Sequence, residues 1–237
     1  MLGAALLLTV TLACGDAYPA GSTVRVLFVG NSLTIANDLP GLVRSLAEAG
    51  GAVVIVTRDV SQGGYSLEDH WAAAESRDAL AAGGWDVVVL QQGPSALPES
   101  QASLAQWAGT WAEAIRVQGG TPALYMVWPE RARLSAFDSV STSYRSAAQQ
   151  AAAQLYPAGD AWQAAWLRDS TLALYGPDDF HPSVMGSYLA ALVIYRGITG
   201  RDPPSLDIGI PAQLEATLQA AARDVAVAAA PPASARY

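Results

Sequence analysis

Short apolar runs alternate with longer alanine-rich stretches along most of the chain. The apolar runs have the length and β-branched content of buried strands, and the longer stretches have the length of helices. The predicted strands are residues 24–29, 52–57, 85–90, 122–127 and, shorter, 155–157. The predicted helices are residues 39–49, 67–82, 99–117, 139–153, 184–198 and 212–229. Continuous apolar strands that alternate with helices are typical of a parallel sheet covered on both faces.

This pattern predicts the α/β class: a single doubly wound, mostly parallel five-stranded sheet with helices on both faces, similar to flavodoxin. Glycine pairs follow three of the helices, where C-caps are expected. There is no repeat and no long linker, so one domain is expected over residues 21–230, followed by a flexible tail at 231–237. Sites in such sheets form at the carboxyl ends of the strands, so the residues after each strand are the candidates for chemistry.

The amino-acid composition excludes several classes of protein and several kinds of site. Of the 237 residues, 51% are apolar and 14% are charged, which excludes a disordered chain. The net charge of −8 argues against a nucleic-acid partner, because phosphate binding needs a basic face. All 13 basic residues are arginine, which excludes Schiff-base lysine chemistry. With one cysteine and two histidines, the chain cannot form an internal disulfide or a cysteine-rich zinc cluster.

The first 20 residues are predicted to be an export signal. The apolar run at 2–13 is too short to span a bilayer but has the length of a signal-peptide core. It ends at a small residue before Cys14, which resembles the lipobox of bacterial lipoproteins. We therefore expect a periplasmic or extracellular protein, and a lipid anchor at Cys14 is one of the hypotheses that the sequence leaves open. Cleavage after Ala17 or Ala20, or a buried N-terminal helix, are the alternatives.

Candidate chemistry follows the first two predicted strands. Ser32 lies two residues past Gly30, where the first strand ends, and directly follows Asn31, on a turn that would expose its hydroxyl beside free backbone N–H groups. The alternative is a serine that only caps the turn. After the second strand, Gly63 and Gly64 let the backbone approach a ligand closely and could supply an oxyanion donor, although a plain turn explains them equally well.

Neutral donors follow the third and fourth strands. Gln91 and Gln92 directly follow the third strand and precede a Gly-Pro turn with Ser95, where their amides would face the same crevice. The alternative is ordinary turn polarity. Trp128 follows the fourth strand, so it could line the crevice and contact a sugar ring or an acyl chain.

The two histidines differ in their surroundings. Asp178 precedes His181 by three residues in a loop, a spacing at which the carboxylate can accept the Nδ1 proton and leave Nε2 free as a base. A structural Asp–His pair is the alternative. His70 lies in a helical stretch and is predicted to be a surface or interface residue. A metal site built from both histidines stays open, although no ligand spacing indicates one.

The ordered set of motifs resembles the GDSL/SGNH hydrolase family over residues 24–200. The Gly30-Asn31-Ser32-Leu33 turn is similar to the Gly-Asp-Ser-Leu block, and Asp178-Asp179-Phe180-His181 is similar to the Asp-x-x-His block. The resemblance implies that Ser32 is the nucleophile, His181 the base and Asp178 the orienting acid. It also implies an oxyanion hole formed by the Ser32 backbone N–H and Gly64, with Gly63 as the alternative glycine.

Two positions depart from the family pattern. Asn31 stands where the family has aspartate. We expect it to be one of the oxyanion and substrate-binding residues. The family's Gly-x-Asn-Asp block is replaced by Gly93-Pro94-Ser95, so the asparagine amide is absent. Gln92 or Gln91 would have to replace that amide, because the Ser95 hydroxyl reaches less far. Losing one oxyanion donor typically costs about 10²–10³-fold in kcat, so the block indicates either compensation or a weak enzyme.

The implied function is a serine esterase that needs no metal or organic cofactor. The expected partner is a small-molecule or glycan ester, with short O-acetyl groups on a carbohydrate favoured over longer acyl chains. Alternatives are a lipase-like or thioesterase-like enzyme, an exported binding protein that has lost activity, and a metal-dependent hydrolase. The sequence leaves the oligomeric state open.

Overall fold

Five parallel strands form the centre of the molecule in a computed structural model, which describes residues 18–227. The strands are β1 (Thr23–Val29), β2 (Val54–Asp59), β3 (Val87–Leu90), β4 (Thr121–Met126) and β5 (Gln154–Pro157). Their spatial order is β2-β1-β3-β4-β5, and every neighbouring pair is parallel. The predicted α/β class and five-stranded sheet are confirmed, and the sheet is parallel throughout.

Helices cover both faces of this sheet, as predicted. They are α1 (Ser32–Ile35), α2 (Leu39–Gly50), α3 (Leu67–Ala72), α4 (Ala74–Ala81), α5 (Pro98–Val117), α6 (Phe137–Gln150), α7 (Ala158–Arg168), α8 (Val184–Thr199) and α9 (Ala212–Asp224). Short 3₁₀ turns occupy Ala36–Asp38 and Arg131–Ala136. The chain adds β2 on one side of β1 and then β3, β4 and β5 on the other, so the topological switch point lies between β1 and β3. Sites in sheets of this order form at that point.

Burial explains the strand pattern. All four residues of β3 are buried, as are the last four of β1, because helices pack on both faces of these central strands. Strand β2 lies at the edge of the sheet, and its Val54 and Val56 are about half exposed. The core includes Tyr18, whose carbonyl accepts a hydrogen bond from Arg201 Nη2 at 2.9 Å.

One predicted helix differs from the structure. Residues 67–82 form two helices instead of one, because Ala73 has an extended backbone (φ −75°, ψ 128°). The break lets Ser76 of α4 face back toward His70 of α3. The predicted leader up to residue 17, Cys14 and the predicted tail lie outside the described residues. Among residues 18–227, no helix has both the length and the apolar character needed to cross a membrane.

Candidate active site

Ser32 begins α1 directly after the buried end of β1. Asn31 caps this short helix, because its side-chain oxygen accepts the Leu33 backbone N–H at 3.1 Å. Gly30 leaves no room for a side chain, since a Cβ there would come within 2.3 Å of Thr34 Oγ1. Within residues 18–227, neither the hydroxyl nor the backbone N–H of Ser32 makes a hydrogen bond. Both groups are therefore available to a bound molecule.

The Gln91 side chain is hydrogen-bonded to this turn through both ends of its amide group. Its Oε1 accepts the Asn31 backbone N–H and the Thr34 hydroxyl, each at 2.8 Å. Its Nε2 donates to Asn31 Oδ1 at 3.0 Å and to the carbonyl of Gln92 at 2.6 Å. These four bonds use the whole hydrogen-bonding capacity of the buried amide. The geometry therefore gives Gln91 a supporting role and leaves it no donor for an oxyanion.

Gln92 is the glutamine that lines the cavity with Ser32. Its Oε1 accepts the Leu67 backbone N–H at 3.2 Å, and its Nε2 donates to Ser95 Oγ at 2.9 Å. One N–H of the amide remains for a ligand. The Ser95 hydroxyl donates to the Gly93 carbonyl at 3.0 Å, so Ser95 orients Gln92 and has no proton left for an oxyanion.

The predicted oxyanion glycines lie on an exposed loop after β2. Gly64 has φ +78°, a left-handed conformation that glycine adopts without strain, and it lines the cavity that contains Ser32. Within residues 18–227, the backbone N–H groups of Gly63 and Gly64 make no hydrogen bond. Gly63 does not line that cavity, so the geometry favours Gly64.

Asp178 and His181 form the predicted pair. Asp178 Oδ2 lies 2.5 Å from His181 Nδ1, while Oδ1 accepts the backbone N–H groups of Phe180 at 3.1 Å and His181 at 2.9 Å. These bonds, the one from the imidazole first, lower the pKa of Asp178 to about 2. The carboxylate is therefore charged at any physiological pH. Nε2 of His181 makes no hydrogen bond with any described residue.

Two contacts bring this loop to the Ser32 turn. Asn37, five residues after Ser32, donates from Nδ2 to the Pro182 carbonyl at 3.0 Å and to Ser187 Oγ at 2.9 Å. Phe180 lines the same cavity as Ser32, and its ring centroid lies 5.1 Å from that of His181. The cavity has a volume of about 440 Å³. Among the described residues, no hydrogen bond joins Ser32 to His181, and such bonds often tighten only when substrate binds.

The predicted crevice position of Trp128 is wrong. Its side chain is fully buried and stacks on Trp162, with ring centroids 3.6 Å apart. The indole N–H donates to the Phe180 carbonyl at 3.2 Å, so Trp128 supports the loop that carries His181. Strand β4 is buried from Pro122 to Met126, and Trp128, two residues past its end, is still covered by Trp162 of α7.

The predicted surface position of His70 is also wrong. The side chain is buried, its Nε2 lies 2.7 Å from the Gly30 carbonyl and its Nδ1 lies 2.8 Å from Ser76 Oγ. Sequence reasoning missed this contact and that of Asn37, because neither residue follows a strand. The sequence offered one signal, the Asn37-Asp38 pair, because these residue types tolerate positive φ values best, and both residues have them in the structure.

No group of three or more histidine, cysteine, aspartate or glutamate side chains within the described residues is placed to hold a metal ion. The two histidines lie in separate contacts, His70 on the Gly30 carbonyl and His181 on Asp178.

These features define the class. The described residues include a free serine hydroxyl after the first strand, an Asp–His pair in a late loop and free backbone donors on a loop between them, on a sheet of order 2-1-3-4-5. Together these are the parts of a hydrolase site on a doubly wound sheet. No protein-family model and no curated protein matches the chain.

Solved structures identify the family. A protein from Slackia heliotrinireducens described as an SGNH hydrolase is 30% identical, with a TM-score of 0.62, and the match covers 76% of this chain and all of that one. A DUF4886 family protein from Bacteroides uniformis is 22% identical over 85% of this chain and 94% of its own, with a TM-score of 0.72. The fold is also shared by the acetyl xylan esterase AlAXEase, 16% identical over 73% of this chain and 98% of its own, with a TM-score of 0.57. The chain belongs to the SGNH/GDSL hydrolase family.

Proposed function

We propose that this hydrolase cleaves carboxylic esters through an acyl-enzyme on Ser32 and that its substrates carry short acyl groups, such as O-acetyl, on a carbohydrate. The observation that carries the proposal is the Asp178–His181 pair with Nε2 left free, in a loop whose Phe180 shares a cavity with Ser32. An imidazole held in this tautomer can accept a proton from a serine hydroxyl.

The reaction follows the double-displacement route. Ser32 Oγ attacks the ester carbonyl while His181 Nε2 takes the hydroxyl proton, and the oxyanion accepts hydrogen bonds from backbone N–H groups and the Gln92 amide. His181 then gives its proton to the leaving alcohol. Water attacks the acyl-enzyme with His181 again as base, which releases the carboxylic acid and restores the serine.

The lining of the cavity supports a hydroxyl-rich alcohol. Its lining includes side chains that carry hydroxyl and amide groups, namely Ser66, Gln92, Ser95, Ser100 and Ser103. Such groups can exchange hydrogen bonds with sugar hydroxyls, and the rings of Tyr65 and Phe180 in the same lining can pack against the face of a sugar. The fold shared with an acetyl xylan esterase is consistent with this substrate class.

Hydrolysis by the purified protein tests the proposal. We expect p-nitrophenyl acetate to be cleaved faster than the octanoate ester, and acetate to be released from acetylated xylooligosaccharides. Ser32→Ala should lower kcat by at least about 10³-fold, because the nucleophile is lost. Ser139→Ala, at an exposed position on α6, is the matched serine control and should behave as the parent.

Three outcomes contradict the proposal in different ways. Equal inactivity of the parent and Ser32→Ala on all esters would favour a binding protein with a degenerate site. Equal activity would remove Ser32 as the nucleophile. A preference for the octanoate ester would favour a lipase-like or thioesterase-like enzyme.

A further inference from the structure

A buried imidazole contacts the backbone just before the proposed nucleophile. His70 of α3 is 1% exposed and lies under the turn that joins β1 to α1. Its Nε2 is 2.7 Å from the carbonyl oxygen of Gly30, two residues before Ser32. A carbonyl only accepts, so Nε2 must carry the proton and donate. Nδ1 then accepts from the Ser76 hydroxyl at 2.8 Å, and both ring nitrogens are satisfied in one neutral tautomer.

The peptide group between Gly30 and Asn31 is held at both ends. Its carbonyl accepts from His70, and its N–H donates to Gln91 Oε1 at 2.8 Å. Two opposed hydrogen bonds fix the rotation of a peptide plane about the chain, so they set the direction in which the next residues leave the strand. The Ser32 hydroxyl and backbone N–H therefore depend on both bonds for their orientation.

The same carbonyl also joins the nucleophile turn to the glycine loop. Gln62, directly before Gly63, donates its backbone N–H to the Gly30 carbonyl at 2.9 Å. The Tyr65 carbonyl accepts Asn31 Nδ2 at 3.1 Å, and the Tyr65 ring meets the His70 ring edge-on with centroids 5.1 Å apart. His70 thus lies where the two segments proposed to supply the oxyanion donors meet.

We propose that His70 is a positioning residue that orients the Ser32 turn and the Gly64 loop through the Gly30 carbonyl. This inference rests on the proposed function of Ser32. In this role, His70 does not contact the substrate and does not transfer a proton. Its imidazole acts as a rigid, buried hydrogen-bond donor to the Gly30 carbonyl. A misplacement of the reacting groups by about 1 Å can cost about 10²-fold in rate, so loss of this donor should be visible in kcat.

Three variants test the role. His70→Leu removes the donor, His70→Gln replaces it with an amide N–H, and Ser76→Ala leaves the ring but removes the hydroxyl that fixes its tautomer. We expect His70→Leu to lower kcat about 10- to 100-fold with little change in KM, and to slow labelling of Ser32 by a fluorophosphonate probe in the same proportion. His70→Gln should recover part of the loss, and Ser76→Ala should show a smaller loss of the same kind.

Hydrogen–deuterium exchange supplies a readout that needs no activity. We expect faster exchange in peptides spanning residues 28–36 and 61–66 of the variants, with unchanged exchange in α8, measured well below the melting temperature. If the parent hydrolyses no ester, the proposed function fails, and these exchange rates still decide the positioning role. Parent-like kcat, labelling and local exchange in folded His70→Leu would overturn it. If His70→Leu does not fold, the same comparison applies to His70→Gln and Ser76→Ala.

Discussion

Two adjacent glutamines at the end of β3 have opposite environments. The Gln91 side chain lies beneath the nucleophile turn, where its amide oxygen and its amide nitrogen are both fully hydrogen-bonded. The Gln92 side chain lines the cavity and keeps one N–H free for a ligand. The sequence located both at a strand end but could not distinguish them. Which one faces the cavity depends on the pleat and on the position of Asn31, a contact across 60 residues.

Substituting each glutamine with methionine should separate these roles. We expect Gln92→Met to lower kcat by about 10²–10³-fold with a small change in KM, because an oxyanion donor is lost. Gln91→Met should instead lower the free energy of unfolding by about 2 kcal/mol or more, because the Asn31 N–H and Oδ1 lose their buried partner. Steady-state kinetics and urea denaturation of both variants measure the two effects. A Gln92→Met enzyme within twofold of the parent kcat would contradict the donor role.

His70 should make the stability of the protein depend on pH. Burial lowers its pKa below the ordinary value, and this outweighs the opposing effects of the Gly30 carbonyl and of Asp69, Asp59 and Glu75. The unfolded chain therefore binds a proton at His70 at a higher pH than the folded chain does. The stabilising contribution is complete well above about pH 6.5 and is lost as the pH falls through the window below that value.

The comparison with His70→Gln isolates this effect, because all other titrating groups are shared. We expect the difference in unfolding free energy between parent and variant to be largest near pH 7.5 and to shrink by pH 5, as measured by urea denaturation. A difference that grows on acidification would mean that the charged imidazole is the one favoured by the fold.

At the scale of the elements, the hydrophobic periodicity was enough to predict the sheet but not the exact course of the helices that connect its strands. The strands are continuous apolar runs, so their existence and parallel pairing followed from the pattern. The break at Ala73 did not, because alanine favours a helix and nothing in the local pattern shows that His70 and Ser76 contact each other across an extended residue. The Asp178–His181 pair was predictable because its spacing is local. The burial of Trp128 was not, because it depends on α7 packing over the end of β4.

Two helical glycines should respond oppositely to alanine. A Cβ on Gly197 of α8 would lie 2.1 Å from Cε1 of Tyr156 in β5, so the helix could not keep its distance from the sheet. We expect Gly197→Ala to destabilise the protein by about 1–3 kcal/mol. A Cβ on Gly109 of α5 would meet no atom of the described residues within 4 Å, so Gly109→Ala should stabilise by up to about 1 kcal/mol. Urea denaturation measures both, and a stabilising Gly197→Ala would show that the α8–β5 contact is loose.

At the scale of the whole molecule, the site joins the two ends of the described chain. The nucleophile turn follows the first strand and the Asp–His loop precedes α8, and Asn37 bonds across 145 residues to Pro182 and across 150 to Ser187. Both motifs could be recognised in the sequence, but the hydrogen bonds of Asn37 that connect them could not. A parallel sheet brings them together because all strands end at one edge, and α8 packs against α2 beside that edge.

The contacts of the first described residues bear on maturation. Tyr18 is buried in the core, Arg201 bonds to its carbonyl, and the Gly21 N–H donates to the Ala52 carbonyl at 2.8 Å. Cleavage after Ala20 would remove this buried aromatic ring, whereas a mature chain that begins at Cys14 or at Tyr18 retains it. Of these two starts, the lipobox-like sequence predicts Cys14, with the cysteine acylated.

Expression of the full chain in a bacterium tests that prediction. We expect the purified protein to have the mass of a chain starting at an acylated Cys14 and to partition into detergent, while Cys14→Ala stays in the aqueous phase, because the acyl chains provide the apolar anchor. Activity and unfolding free energy should be unaffected by Cys14→Ala, which separates anchoring from folding. An N terminus at Tyr18 would mean export without a lipid, and one at Gly21 would mean that the core tolerates the loss of Tyr18. An uncut chain would contradict the export signal itself.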